Sequence, residues 1–275
     1  MGDLVEPHIP AFSDAFQRFG QWLQDVHTRY LPVMETLVKV DWEQVQNRLK
    51  DMPKRSRIAM GIAADQGWFF NWQDSLQNTL RLIDDISAAR DGDIDAILED
   101  YYEENIEWYT LKLCEIYPSR KTVIQAAANA HRTGTSDGYC LSVPVFLAQA
   151  DGLFWEISGI ESPMNKVRGG DALVGSAWIK SKIGDDQRAN DLLSPFFQMH
   201  DSDLLISQRT RQKKYTDRGK IFNALNRHQV LHGEVSDYGT RINSLKAFSL
   251  LIFIGLHLPD ILKMTHSEQN DANEL

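Results

Sequence analysis

The stretch YCLSVPVFLAQADGLFWEI, from Tyr139 to Ile157, decides the fold. Leu141, Val143, Val145, Phe146, Leu147, Ala150, Leu153 and Phe154 make it strongly apolar, over a length that suits a helix and exceeds a strand. Pro144 falls in its first turns, where proline is tolerated. The stretch therefore predicts a core helix. Upstream, Gly134 and Gly138 mark a loop. Ser119 caps a helix over Arg120 to Arg132, and His131 and Arg132 close it as cations that suit a helix C-terminus.

Further upstream, Asp93 reads as the N-cap of a helix that runs to Tyr117 and is ended by Pro118. Its stripe is Ile94, Ile97, Leu98 and Tyr101. Helix is also predicted over Asp74 to Arg90, after an aromatic cluster (Trp68, Phe69, Phe70, Trp72) at a bend beside Gly67. Two more helices are expected near the N-terminus, with Pro10 and Pro32 in their first turns. One places Phe12, Phe16, Phe19, Leu23 and Val26 on one face. The other runs from about Pro32 to Met52 and stops at Pro53. Downstream, Gly159 to Gly170 has a linker composition. Helices over Asp171–Ile183 and Asp185–His200 follow. Ala247 to Leu258 predicts a buried core helix ending at Pro259, too short to span a bilayer, which takes ~20 residues. The chain reads as all-α and multi-helix, with an N-terminal helical region (1–118) and a C-terminal helical bundle (119–275).

Composition narrows the class. The chain of 275 residues is 43% hydrophobic and 24% charged, values ordinary for a soluble globular protein. Cys114 and Cys140 stand far apart without CxxC partners, which excludes a zinc knuckle or disulfide scaffold and fits a reducing cytosol. The acidic N-terminus has no apolar core, so no signal peptide is expected.

Charge is unevenly spread around a net value of -9. Asp84, Asp85, Asp91, Asp93, Asp95, Glu99, Asp100, Glu103, Glu104 and Glu107 crowd one segment against Arg90, which reads as solvated helix faces. Arg209, Arg211, Lys213, Lys214, Arg218 and Lys220 crowd another against Asp217. This second run is a candidate RNA-binding approach, because it leads into the residues with the most distinctive chemistry.

Those residues are Phe222-Asn223-Ala224-Leu225-Asn226-Arg227-His228-Gln229-Val230-Leu231-His232-Gly233. Arginine carries a fixed cationic fork that suits phosphate oxygens. Histidine gives and takes protons near neutral pH. Gly233 suits the position just past a helix end, so Arg227 to His232 reads as the last turns of a helix. Five residues of α-helix separate the two side chains by about 140°. His228 and His232 share a face, but a zincin would need glutamate where Gln229 stands, so no metal or other cofactor is expected. The structural alternative is that Arg227 makes an ion pair and His232 is a satisfied buried histidine.

The Arg227-x4-His232 motif resembles the RNA-processing motif of the HEPN superfamily. Asn226-Arg227-His228, Leu231-His232-Gly233, Asp237-Tyr238-Gly239-Thr240 and Asn243-Ser244-Leu245-Lys246-Ala247 are similar to the C-terminal segment of a group of bacterial helical proteins. Ala148-Gln149-Ala150-Asp151-Gly152 is similar to a stretch upstream in the same proteins. The resemblance covers about residues 119 to 264. It departs from the motif at His228, where asparagine is commoner, with Asn226 on the other side. It also departs from the subgroup modified by a nucleotidyltransferase, which has tyrosine at the position of Glu234.

The resemblance implies a cytoplasmic, metal-independent endoribonuclease of toxin or phage-defence type, working as a homodimer on RNA, with a partner protein or inhibitor and no membrane. It implies catalytic roles for Arg227 and His232, with His228, Asn226 and Asp151 beside them. Asp151, on an otherwise apolar helix, needs a partner, and His232 or Arg227 is the expected one. The rival class is a non-enzymatic helical interaction module in which Arg227 and His232 are structural.

Overall fold

A computed structural model describes residues 42–71, 73–89, 93–168, 172–199, 204–205, 210, 212–213, 216 and 225–273. The helices expected before residue 42, Trp72, and Arg209, Arg211, Lys214, Arg218 and Lys220 lie outside the described residues. The fold is all-α, as the sequence predicts; among the described residues the one β element is an isolated bridge between Lys166 and Leu173.

Helix α1 (Trp42–Asp65) corrects the expected stop at Pro53, because it runs straight through that residue. An interior proline costs about 3 kcal/mol. Met52, Ser56, Ala59, Met60 and Ala63 recur at helical spacing and are all buried. Burying one methionine is worth roughly 1.5–3 kcal/mol, so this face outweighs the lost bond. Gly67 then turns the chain at φ +82° and delivers Trp68, Phe69 and Phe70 into the core.

Helices α2 (Leu76–Ala88, capped by Ser75) and α3 (Asp93–Ile116) follow. Ile94, Leu98, Tyr102, Ile106, Tyr109 and Leu113 form the buried stripe of α3. Trp68 stacks on Tyr102 with ring centroids 5.9 Å apart. Asn71 satisfies the polar atoms this brings inside, accepting from the Tyr109 hydroxyl (3.1 Å) and donating to that of Tyr102 (3.3 Å). The acidic run is not simply a solvated face. Asp95 pairs with Lys246, and Glu99 and Glu103 share Arg241.

A 3-10 turn (Pro118–Arg120) precedes α4 (Lys121–Arg132), so Ser119 lies inside the turn and caps nothing. Helix α5 (Ser136–Ser158) is the helix read from Tyr139 to Ile157, begun three residues earlier. Gly138 belongs to its first turn and not to a loop: the Thr135 side chain accepts from its N–H at 3.1 Å. A Cβ there would overlap the Ala130 carbonyl, which explains the glycine. The stretch after α5 corrects the linker reading. Pro163 and Met164 are buried, and the Pro163 carbonyl accepts from Gly175 at 2.8 Å.

Helix α6 (Val174–Ile183) begins later than expected. The helix expected over 185–200 is two short ones, α7 (Gln187–Leu192, capped by Asp186) and α8 (Ser194–Gln198). Helix α9 (Arg227–Leu231) is a short surface helix. Helix α10 (Arg241–Ile252), a π turn (Phe253–His257) and α11 (Leu258–Asn273) form one continuous rod. Ala247 to Leu258 is buried as expected, but the rod does not end at Pro259. Proline has no N–H for the carbonyl of Gly255, and its ring would crowd that carbonyl in a regular helix. The π turn relieves the crowding, and the Tyr117 hydroxyl donates to the freed Gly255 carbonyl at 2.7 Å.

One hydrophobic core runs from Met52 to Met264 and takes side chains from both sides of residue 118. Two helices, Ser136–Ser158 and Arg241–Thr265, are long and apolar enough to cross a membrane by length and composition. In the second, 78% of the most apolar window is buried within the protein, against 39% for α5, so α5 keeps an open outer face.

Candidate functional site

The site is built on the contact between α5 and α9. Asn226 precedes α9 in an extended conformation, and its side-chain oxygen accepts from the Gln229 N–H at 3.2 Å. That bond satisfies one of the open donors at the helix start. Asn226 is 2% exposed, so the geometry gives this expected catalytic residue a capping role. The sequence predicts Arg227–His232 as the end of a longer helix. The structure corrects this, because the cap makes Arg227 the first residue of α9. Its own N–H donates to the Leu204 carbonyl at 2.9 Å.

The other end follows the expectation. His232 is the C-cap, and Gly233 adopts φ +69°. Gly233 N–H donates to Val230 (3.2 Å) and Glu234 N–H to Gln229 (2.8 Å), a Schellman closure. Arg227 and His232 thus occupy opposite ends of one capped turn. The His232 ring is exposed and lies 4.2 Å from that of His228. His228 in turn meets the Glu234 carboxylate at 3.3 Å.

Of the two partners expected for Asp151, the structure supplies Arg227. Arg227 Nε donates to both carboxylate oxygens, at 2.8 and 2.9 Å, and Nη2 donates to Oδ2. Both side chains are largely covered, at 18% and 24% exposure. Burial pushes the Asp151 carboxyl above its ordinary range; hydrogen bonds and charge from Arg227 pull it back only in part.

Residues that the sequence does not single out complete this face of α5. Arg120 donates from Nε to Glu156 (2.9 Å) and from Nη1 to Gln149 (3.0 Å). A Cβ on Gly152 would lie 2.5 Å from Arg120 Nη1, so a larger residue would push the guanidinium away from its place against the helix. Ala148-Gln149-Ala150-Asp151-Gly152 is thereby explained: Gln149 and Gly152 receive Arg120, and Asp151 receives Arg227. The signal was the glycine, which costs about 1 kcal/mol inside a helix and needs a packing reason.

A second constellation lies elsewhere. His131 is expected to act as a C-terminal cation of α4; the structure buries it instead. Burial lowers its pKa, against the pull of Glu103. Nε2 meets the Glu103 carboxylate at 3.1 Å, Nδ1 meets Ser244 Oγ at 2.8 Å, and Ser244 meets Ser142 at 2.6 Å. A carboxylate only accepts, so Nε2 carries the proton and Nδ1 accepts from Ser244. Both serines are fully buried, so this serine–histidine–glutamate chain fastens α3, α4, α5 and α10 together and offers no nucleophile to a substrate.

Of the candidate RNA-binding run, Lys213 is described and exposed. Among the described residues no group of three His, Cys, Asp or Glu side chains is placed to hold a metal ion. Comparisons with protein families, with curated proteins and with solved structures return no match.

Proposed function

We propose that the protein is a metal-independent endoribonuclease of HEPN type that acts as a homodimer in the cytoplasm, as an effector of toxin or phage-defence class. One observation carries the reading: Arg227 and His232 sit at the two ends of a single capped surface turn, the arginine fixed by Asp151 and the histidine open to solvent. In the reaction, a ribose 2′-hydroxyl attacks the adjacent phosphorus and the 5′-oxygen leaves. His232 moves a proton to or from the reacting oxygens. Arg227 stabilises charge growing on the phosphoryl oxygens. The products are a 2′,3′-cyclic phosphate and a 5′-hydroxyl. Two such turns, one from each protomer, make the full site, which suits a two-fold interface.

The test is cleavage of RNA by purified protein in EDTA, with loss of cleavage in His232→Ala. Activity that EDTA stops, and that His228→Ala damages as much as His232→Ala, would point to a metal instead. A second reading is favoured by the Asp151–Arg227 pair itself. A guanidinium already satisfied by a carboxylate is what a structural arginine needs, and the protein would then be a helical interaction module. Intact RNA after incubation with the wild-type protein decides for that module.

A further inference from the structure

The outer face of α5 carries features that the cleavage chemistry does not use. At about 100° per residue, the last turns of α5 present Asp151, Trp155, Ala148, Gly152, Glu156 and Gln149 in order around this face, with Leu141 in line about four turns before Trp155. The middle of that arc is apolar and open: Leu141 is 66% exposed and Trp155 is 54% exposed. Its two edges are each held by an arginine, Arg227 on Asp151 and Arg120 on Gln149 and Glu156. Among the described residues, Nη1 of Arg227 and Nη2 of Arg120 make no hydrogen bond. An exposed indole between two anchored cationic forks matches the chemistry of a single nucleic-acid strand. A base stacks on the ring while flanking phosphates take the guanidinium donors.

We propose that this face of α5 binds single-stranded RNA, with Trp155 as the stacking platform and Arg120 and Arg227 as phosphate contacts. The proposal rests on the endoribonuclease reading and extends it, since Arg227 is shared between the strand and the cleavage site. Hydrogen-bond donors decide between occupants, since Asp151 and Glu156 balance the charges of Arg227 and Arg120. A second copy of the chain would bury two arginines with donors unpaired, at a cost that phosphate oxygens remove. Glu156 is the internal competitor, because it occupies Arg120 and repels phosphate.

The experiment is fluorescence anisotropy of the full chain with a short, labelled 2′-O-methyl oligouridylate, which cannot undergo 2′-hydroxyl attack, titrated over a range of KCl. Trp155→Ala weakens binding about ten-fold or more, and Trp155→Phe retains most of it. Arg120→Gln reduces the slope of log K against log salt by about 0.7, the loss of one phosphate contact on a single strand. Glu156→Gln tightens binding, the opposite of what a purely structural Arg120–Glu156 pair gives. Thermal melts of the same variants separate weakened binding from weakened folding. If Trp155→Ala, Arg120→Gln and Glu156→Gln all bind like wild type, the surface is not the strand's. If Trp155→Ala dissociates a homodimer and leaves oligonucleotide affinity unchanged, the face belongs to a second copy. A wild-type protein that cleaves RNA but ignores the oligonucleotide overturns this inference alone. One that neither cleaves nor binds removes the endoribonuclease reading with it.

Discussion

Asp151 on α5 grips the guanidinium of Arg227 at the start of α9 through both carboxylate oxygens. The pair ties a short surface turn to the central helix, so it sets where the candidate catalytic residues stand. Arg227→Ala leaves a largely covered carboxylate without its partner. We expect a loss of about 1–3 kcal/mol in stability, measured by chemical denaturation. Asp151→Ala/Arg227→Ala removes both charges and should cost less than the sum of the two single changes, as residues in direct contact do. Strict additivity would mean that the contact contributes nothing.

Asn226 gives a separate check on the same turn. As the N-cap of α9, Asn226→Ala should destabilise the protein by about 1 kcal/mol, while Asn226→Asp and Asn226→Ser recover most of that loss. Cleavage should follow stability through the series. A variant of normal stability that had lost cleavage would restore Asn226 to the catalytic group and remove it from the capping role.

The helical class was legible because stripes at helical spacing, such as Ile94 and Leu98, depend on local order, although Tyr102 completes that stripe in place of the expected Tyr101. The effects of proline were not. Pro53 and Pro259 each look like a helix end, yet Pro53 is carried by the buried face of α1 around it, and the carbonyl facing Pro259 is met by Tyr117, far along the chain. Caps at Asn226 and Thr135 were missed for a related reason. Each competes with other polar residues nearby, and only the bonded N–H identifies the one that closes the helix. In the site, the need of Asp151 for a partner was legible from its apolar surroundings. The role of Arg120 was not, since its sequence neighbours carry no sign of Gly152.

Tyr117 tests the account of the π turn. Pro259 has no N–H to meet the Gly255 carbonyl, which accepts from the Tyr117 hydroxyl, and Gly255 is itself buried. Tyr117→Phe keeps the ring and removes the donor. We expect a loss of about 1–3 kcal/mol by urea denaturation, the cost of an unsatisfied buried carbonyl. Pro259→Ala restores an N–H at the right place and should suppress most of that loss in the double variant. If Tyr117→Phe costs the same with and without Pro259→Ala, the link between the proline and the tyrosine is severed.

His257 makes stability depend on pH. Its ring is 1% exposed, stacks on Phe253 at 4.8 Å and donates from Nε2 to the Leu192 carbonyl at 3.1 Å. Burial pushes its pKa down to about 4, with the bond to Leu192 acting the other way. The unfolded histidine titrates near 6.5. Below about 6.5 the unfolded chain therefore takes up a proton that the folded protein refuses until about 4. The stability due to neutral His257 is fully present above about 6.5 and is lost as pH falls, by up to ~1.4 kcal/mol per pH unit. Burial also lowers the pKa of His131, which adds a contribution of the same sign. His257→Gln keeps an N–H donor for Leu192 but cannot titrate. Denaturation midpoints measured between pH 7 and pH 4.5 should fall less steeply in this variant than in the wild type. Parallel curves for the two proteins would mean that His257 has an ordinary pKa and does not couple folding to protons.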